Sequence, residues 1–176
     1  LSIHFLERLK KHEPIQYILG ETWFMDLKFS VSPSVLIPRP ETEELVMHII
    51  NYLKKKNVDS LKILDIGTGS GCIAVSLKKH LPFSEITAVD VSPMALSVAK
   101  SNAIRNEVEI NFVEIDILQK ENWKILPEYD IVVSNPPYVT QSDKAAMKPN
   151  VLLFEPPLGL YVEDDDPLIF YRTILI

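Results

Sequence analysis

A glycine-rich turn between a strand-like and a helix-like segment constrains the fold of this chain more than any other feature. The sequence DIGTGSG at 65–71 ends the apolar segment Leu61–Ile66 and leads into the helical pattern Cys72–His80. Glycine adopts positive φ angles and lets a ligand approach the backbone closely. In α/β proteins such a turn connects a buried strand to a helix beside a nucleotide-type ligand. The turn therefore predicts an α/β fold, with either a ligand site or a purely structural turn at this point.

Segments typical of strands and of helices alternate from this turn onward. Their alternation predicts parallel strands joined by right-handed crossovers, as in a Rossmann-like doubly wound sheet. Ser92 stands where it can cap the helix that Pro93 begins. The segments are, in chain order, Leu61–Ile66, Cys72–His80, Glu85–Asp90, Pro93–Arg105, Glu109–Ile115 and Tyr129–Ser134.

The amino-terminal part of the chain has a different pattern. Apolar residues recur on one face of Ser2–Lys11, which predicts the last helix of an upstream helical region. Three short β-prone stretches, Gln16–Leu19, Thr22–Met25 and Leu27–Val31, are typical of a hairpin or connector. Glu41–Lys56 is predicted to be a helix, with acidic residues in its first turn and lysines at its end.

The last segment, Asp164–Ile176, has apolar positions that predict a helix. Because only four strand segments precede it, we expect an incomplete sheet and a chain that is a fragment or a truncated product. An open sheet edge invites pairing with another chain. Self-association through such an edge is therefore a further expectation.

Composition disfavours several classes of function. With 176 residues, 47% of them hydrophobic, the chain is long enough for one α/β domain. A net charge of −6 disfavours a large nucleic-acid surface. The apolar runs are too short to span a bilayer and no signal-peptide pattern opens the chain, so we expect a soluble cytoplasmic protein. Cys72 is expected to be a packing residue, and the histidines lack metal-ligand spacing, so no metal site is predicted.

Two aspartates stand at the ends of the next two strand segments. Asp90 has a position at which a carboxylate accepts the ribose hydroxyls of an adenosine. Asp116 is placed to accept the adenine amino group while Ile117 covers the ring. The position of Asp90 suits NAD and S-adenosylmethionine equally well. The alternate glycines at 67, 69 and 71 behind an acidic residue favour an amino-acid-bearing nucleoside over a pyrophosphate.

The sequence SNPPY at 134–138 ends the fourth strand segment. It is either a strand terminator, since prolines stop sheet ladders, or a site for a flat NH2 group. Asn135 and Pro136 offer a side-chain oxygen and a carbonyl as adjacent acceptors, and Pro137 restricts where that carbonyl points. With the ring of Tyr138 beside them, these acceptors would hold an amide or amine nitrogen in line with an activated methyl group. Their hydrogen bonds strengthen as the nitrogen gains positive charge, which favours the transition state.

On these motifs the chain resembles the HemK/PrmC family, whose members methylate the glutamine of the Gly-Gly-Gln motif in class 1 peptide chain release factors. The resemblance is carried by PIQYILG at 14–20, VLIPRPETE at 35–43, the glycine turn and SNPPY. The Asn-Pro-Pro-Tyr sequence is shared with adenine-N6 and other amino methyltransferases. The segment at 35–43 makes the combination specific.

The resemblance implies S-adenosyl-L-methionine as cofactor and methyl transfer to glutamine N5 of release factors. It also implies a remnant of a helical domain in 1–13, a hairpin connector in 14–40, and a class I methyltransferase domain, incomplete at its carboxyl end, in 41–176. Ile117, where relatives often have an aromatic residue, and Pro157, where alanine is usual, depart from the family pattern. The implied cofactor-binding residues are Gly67, Thr68, Gly69, Ser70, Gly71, Asp90, Asp116, Ile117 and Asn135. The implied catalytic residues are Asn135, Pro136 and Tyr138, and the substrate-binding residues are Asn135, Pro136, Pro137 and Tyr138.

Three other interpretations stay open at this point. The same pocket could receive a flipped RNA or DNA base and methylate its exocyclic amine, although the acidity of the chain disfavours this. A truncated chain could bind the cofactor or a partner without catalysis. A nicotinamide-dependent oxidoreductase is the third alternative.

Overall fold

The computed structural model describes residues 3–56, 58 and 60–175. Its first two elements are short helices. Helix α1 (Ile3–Lys10) lies within the predicted helix, of which Ser2 is outside the described residues. Helix α2 (Ile15–Leu19) occupies the stretch predicted to be β-prone, so that prediction was wrong. Gly20 ends this helix with a φ of 73°, a conformation that glycine adopts without strain. The buried Tyr17 anchors the helix by donating a hydrogen bond to the carbonyl of Val35 at 2.7 Å.

The predicted hairpin is confirmed as the antiparallel pair β1 (Glu21–Phe24) and β2 (Leu27–Ser30). Its two turn residues, Met25 and Asp26, both have positive φ angles, which match the twist of a tight hairpin. The backbone N–H of Met25 also donates to Glu43 Oε1 at 2.8 Å. This bond ties the hairpin to the helix that follows it.

Four parallel strands form the central sheet, in the order β5-β4-β3-β6. The predicted alternation of strands and helices is therefore confirmed, although β5 and β6 each begin two residues later than predicted. The elements are α3 (Pro40–Lys56), β3 (Lys62–Ile66), α4 (Cys72–His80), β4 (Glu85–Asp90), α5 (Pro93–Arg105), β5 (Asn111–Glu114) and β6 (Ile131–Ser134).

Strand β3 is buried on both faces from Ile63 to Ile66, which explains why it has apolar residues on both faces. Ile63 packs into the larger core with α3, α4 and the hairpin, while Leu64 and Ile66 belong to a second core cluster. Successive residues of a strand point to opposite faces, so Ile63 lies on one face of the sheet while Leu64 and Ile66 lie on the other. Cys72 is buried in the larger core, as expected of a packing residue, and burial raises the pKa of its thiol to about 12.

Helix α5 begins as its sequence predicts. Ser92 Oγ accepts a hydrogen bond from the backbone N–H of Ala95 at 3.2 Å, and Pro93 occupies the first turn. This cap satisfies one of the free N–H groups at the helix start. The cap also fixes the direction in which the chain leaves Asp90 at the end of β4.

The carboxyl-terminal part adds elements that the sequence patterns did not predict. Strands β7 (Val139–Thr140) and β8 (Tyr161–Val162) form a short parallel pair. In the sequence, helix α6 (Pro149–Phe154) falls between them. Helix α7 (Ile169–Ile174) is shorter than the predicted Asp164–Ile176, whose last residue is outside the described part of the chain. Pro167 accounts for the late start, because the residue before a proline disfavours helical angles. None of the helices in the described residues has both the length and the apolar character needed to cross a membrane.

Candidate active site

A cavity of about 600 Å³ opens at the carboxyl ends of the parallel strands. Open α/β sheets bind ligands at this edge. The structure brings most of the predicted site residues together around the cavity. Those on its lining are Gly67, Thr68, Gly69, Ser70, Asp90, Asp116, Ile117, Asn135, Pro136 and Pro137.

The glycine turn has the left-handed backbone that its sequence predicts. Gly67, Gly69 and Gly71 have φ angles of 69°, 55° and 79°. The N–H groups of Gly67 and Thr68 both donate to the carbonyl of Val89, at 2.9 and 3.0 Å. A Cβ atom at Gly67 would meet no atom within 4 Å. The turn is therefore held against β4 while the space in front of Gly67 stays open.

Gly71, unlike Gly67 and Gly69, is not on the cavity lining and packs against α5. A Cβ atom built there would lie 3.0 Å from Ala99 Cβ and 3.2 Å from Ala99 Cα. The missing side chain thus allows the start of α4 to pack closely against α5.

Asp90 connects the glycine turn to the cap of α5. Its Oδ2 accepts a hydrogen bond from the N–H of Gly69 at 2.9 Å, and its Oδ1 accepts one from the N–H of Ser92 at 2.9 Å. Burial raises the pKa of this carboxyl, while the backbone N–H groups oppose that shift. Each carboxylate oxygen can accept more than one hydrogen bond. Asp90 is thus held rigidly and still has acceptor capacity toward the cavity.

Asp65 lies beneath the turn and is fully buried. Its Oδ2 accepts a hydrogen bond from Thr68 Oγ1 at 2.7 Å, whereas Oδ1 has no partner of hydrogen-bond geometry among the described residues. Burial raises the pKa of Asp65 to about 7, against the opposing effects of the Thr68 hydroxyl and the Ala74 amide. The turn therefore rests on a carboxyl group that titrates near neutral pH.

Asp116 and Ile117 form another side of the cavity. The two carboxylate oxygens of Asp116 accept hydrogen bonds from the Leu118 N–H at 3.0 Å and the Gln119 side chain at 3.1 Å. Ile117 is buried, and its carbonyl accepts a hydrogen bond from Trp123 Nε1 at 2.9 Å. An apolar side chain thus lies next to a carboxylate at this side of the cavity.

The SNPPY segment turns from β6 into the cavity. Ser134 Oγ donates to the carbonyl of Ile66 at 2.8 Å, and Asn135 Nδ2 donates to Thr42 Oγ1 at 3.1 Å. Pro136 is buried. Tyr138 is 60% exposed and is absent from the cavity lining, so the structure does not bring its ring beside the two acceptors.

Two polar residues that support the site were missed from the sequence. Thr42 lies in the first turn of α3 and reaches Asn135 across 93 residues of sequence. Asn102 is fully buried, accepts the Ser30 N–H at 2.6 Å, and donates to the carbonyls of Ser30 and Ser70 at 2.9 and 2.8 Å. Asparagine is a weak helix former, so its presence inside α5 was the one available signal.

A comparison with protein-family models identifies residues 45–153 as a methyltransferase small domain. Among curated proteins, the release factor glutamine methyltransferase of Flavobacterium psychrophilum is 56% identical over 170 residues, covering 96% of this chain and 59% of that protein. The enzyme of the same description from Bacteroides thetaiotaomicron is 50% identical, covering 95% of this chain and 58% of its own length. This chain thus spans somewhat more than half the length of these relatives.

Solved structures show the same fold at low sequence identity. The catalytic domain of hMettl16, solved with a MAT2A 3′UTR hairpin, matches 86% of this chain and 56% of its own with a TM-score of 0.59 at 21% identity. The tRNA (uracil-54, C5)-methyltransferase of Pyrococcus abyssi, solved with S-adenosyl-L-homocysteine, matches 88% of this chain and 36% of its own with a TM-score of 0.54 at 20% identity. These matches show that the chain has the same α/β fold with a parallel sheet. Since the family model matches more than half of its residues, the chain belongs to the methyltransferase small domain family.

Proposed function

We propose that this chain is the cofactor-binding and catalytic part of an enzyme that methylates glutamine N5 in the Gly-Gly-Gln motif of class 1 release factors. The observation that carries the proposal is the position of Asn135 and Pro136, which border the same cavity as the glycine turn. The description of the relatives from Flavobacterium psychrophilum and Bacteroides thetaiotaomicron supports this substrate.

The residues around the cavity fit S-adenosylmethionine. Its volume, about 600 Å³, is within the usual range for pockets of small ligands and cofactors. The open space in front of Gly67 suits the amino-acid part, Asp90 offers acceptors to the ribose hydroxyls, and Asp116 with Ile117 suits the adenine. The other proposed cofactor contacts come from Thr68, Gly69, Ser70 and Asn135, while Gly71, which is off the cavity lining, is proposed to act by shaping the turn.

The chemistry proposed for the site depends mainly on positioning. When bound, the cofactor supplies a methyl group that a sulfonium sulfur activates. Asn135 Oδ1 and the Pro136 carbonyl would accept hydrogen bonds from the two N–H groups of the target amide. These bonds would hold the amide nitrogen in line with the activated methyl group. The target nitrogen would form an N–C bond as the S–C bond of the cofactor breaks, and it would then lose a proton to water. Positive charge on the nitrogen strengthens both hydrogen bonds, which lowers the barrier.

Pro137 and Tyr138 have supporting parts in this proposal. Pro137 keeps Pro136 in an extended conformation and so fixes its carbonyl. Tyr138 is exposed and is proposed to contact the protein substrate at the rim, from which its ring would reach the bound glutamine.

The direct test uses the purified chain, labelled S-adenosylmethionine and a class 1 release factor. We expect label in the release factor and none in a factor whose Gly-Gly-Gln glutamine is changed to alanine. Asn135→Ala should lower the rate by about a hundredfold or more, because one of the two acceptors is removed. Calorimetry with S-adenosylmethionine and a melting curve control for cofactor binding and folding.

Three outcomes would contradict the proposal. An Asn135→Ala variant that stays folded and methylates at the unaltered rate removes its chemical basis. Label in RNA or DNA, with none in the release factor, would establish a base-amine methyltransferase instead. Cofactor binding without product in any of these assays would establish a non-catalytic module.

The remaining expectations are part of the same proposal. We assign residues 1–13 to a helical domain, 14–40 to a connector and 41–176 to the methyltransferase domain. A cytoplasmic location follows from the proposed substrate, which acts in translation. Self-association would use β6, which is an edge of the described sheet and carries the exposed Val132. Analytical ultracentrifugation of the wild type and of Val132→Lys tests this last point.

A further inference from the structure

We propose that Thr42 is a positioning residue that sets which end of the Asn135 carboxamide faces the target nitrogen. The inference rests on the proposed function, because it concerns how Asn135 presents an acceptor to an amide. It gives the first turn of α3 a part in the reaction.

The contact between the two residues is specific. Thr42 is 7% exposed and lies on the cavity lining together with Asn135. Its Oγ1 accepts a hydrogen bond from Asn135 Nδ2 at 3.1 Å. Among the described residues, no other side chain forms a hydrogen bond with the Asn135 carboxamide.

The backbone on both sides of this pair is fixed, so the carboxamide torsion is the main freedom left at Asn135. Ser134 pairs with Ile66 in the sheet and also donates its hydroxyl to the Ile66 carbonyl. Pro136 follows and restricts the Asn135 backbone. Thr42 is held by α3, where its N–H donates to the carbonyl of Arg39 at 3.0 Å.

The orientation of a carboxamide decides whether it attracts or repels an NH2 group. One end is an acceptor and the other end carries two donors. With Nδ2 directed to Thr42, Oδ1 is free to accept a hydrogen from the target amide. Rotation by half a turn would present donors to a donor. Because Thr42 Oγ1 accepts from Nδ2 in the structure, the pair holds the carboxamide in the catalytic orientation before the substrate arrives.

The test compares Thr42→Val, which keeps the shape and removes the acceptor, with Thr42→Ser, which keeps the acceptor. Thr87→Val is the matched control, because Thr87 Oγ1 also accepts a hydrogen bond from an asparagine side chain, Asn111, at 3.4 Å. Thr87 is buried within β4 and is absent from the cavity lining. All variants are checked for folding by their melting curves.

We expect Thr42→Val to lower kcat for release-factor methylation by about tenfold, the usual effect of one oriented hydrogen bond. The KM for S-adenosylmethionine should change little, and Thr42→Ser should recover most of the rate. Thr87→Val should methylate at the wild-type rate. A Thr42→Val enzyme with wild-type kcat would overturn the inference, as would equal losses in the serine and valine variants.

A second measurement does not depend on activity. In nitrogen-15 NMR spectra of the protein without cofactor, the Nδ2 proton of Asn135 that faces Thr42 should resonate downfield and exchange slowly. Thr42→Val should abolish both effects, and Thr87→Val should not. If Thr42→Val fails to fold, the wild-type spectrum decides, since a freely exchanging Asn135 amide excludes the proposed orientation.

The two proposals fail in different ways. A wild-type chain that methylates no release factor under any condition, with the NMR result intact, overturns the proposed function and leaves only a structural bond. An active wild type with an unaffected Thr42→Val variant overturns the part of Thr42 alone.

Discussion

Arg39 Nη2 lies 2.5 Å from Oε1 of Glu155, whose side chain is fully buried. The other oxygen of Glu155 accepts a hydrogen bond from the backbone N–H of Ile37 at 3.2 Å. One carboxylate thus holds two points of the segment 37–39, which lines the same cavity as the glycine turn. The chain after α6 is in this way connected to the wall of the candidate active site.

Removal of this carboxylate should weaken both the fold and the site. Glu155→Ala leaves the Ile37 N–H and the Arg39 guanidinium without their partner, and we expect a loss of about 2 to 3 kcal/mol in the free energy of unfolding. Cofactor affinity should fall as well, because the segment 37–39 loses its anchor. Urea denaturation and calorimetry measure the two effects.

Glu21→Ala is the matched control for this change. Glu21 also pairs with two cations, Lys28 and Arg105, but at side chains that are about one third exposed. Solvent screening makes such pairs weak, so the control should lose much less stability and no cofactor affinity. Equal losses in Glu155→Ala and Glu21→Ala would contradict the anchoring role.

Close packing at Gly71 predicts a large effect of one methyl group. Gly71→Ala combines a φ of 79° with a contact of 3.0 Å to Ala99 Cβ, and we expect a loss of roughly 2 to 4 kcal/mol in the free energy of unfolding. Gly20→Ala has a similar φ of 73° but meets no atom within 4 Å. Its loss should be about 1 kcal/mol, from backbone strain alone. Chemical denaturation of both variants separates strain from contact, and the same loss in both would show that α5 yields to the added methyl.

The buried carboxyl of Asp65 predicts a pH dependence of stability. Burial raises its pKa to about 7 from about 4 in the unfolded chain, so the folded state retains a proton that the unfolded state releases. The stability contributed by the protonated form is present below about pH 4 and is lost as the pH rises through about 7.

Asp65→Asn should remove this dependence. The free energy of unfolding of the variant, measured relative to the wild type, should rise between about pH 4 and pH 7 by a few kcal/mol at most. Urea denaturation at several pH values gives the difference curve. Asp26→Asn, in the exposed hairpin turn, is the control. A difference curve for Asp65→Asn that is flat over this range would show that Asp65 is ionised in the folded protein.

Asn102 predicts a coupling between the hairpin and the cofactor site. Asn102→Ala leaves the N–H and carbonyl of Ser30 and the carbonyl of Ser70 without this partner, and we expect a loss of about 3 kcal/mol in the free energy of unfolding. Affinity for S-adenosylmethionine should also fall, because Ser70 is part of the glycine turn.

Asn106→Ala provides the comparison within the same region. Asn106 Nδ2 donates to the carbonyls of Lys28 and Asn102, and within the described part of the chain no hydrogen bond connects Asn106 to the turn. The Asn106→Ala variant should therefore have a lower free energy of unfolding, while its affinity for S-adenosylmethionine in calorimetry should change little. If Asn102→Ala binds the cofactor as the wild type does, the glycine turn keeps its shape without this bond.

Local patterns predicted the elements that determine the position of the site. The glycine turn, the Ser92 cap and the start of α5 at Pro93 depend on residues within a few positions of one another. The prediction for helix α2 was wrong, because contacts outside this segment decide whether it forms a helix or a strand. Tyr17 reaches Val35 across 18 residues of sequence, and such a tertiary contact overrides a weak local preference.

The sequence by itself determined that a parallel sheet carries a glycine turn, two carboxylates and an acceptor pair at one edge. These features follow from periodicity and turn chemistry, which act over short stretches of chain. Only the tertiary structure decided which polar groups hold these site residues in place. The contacts concerned are Ser70 with Asn102, Asn135 with Thr42, and Arg39 with Glu155. These partners are 32, 93 and 116 residues apart. Because many threonines, asparagines and glutamates could make the same bond, the choice depends on which of them the packed core brings together.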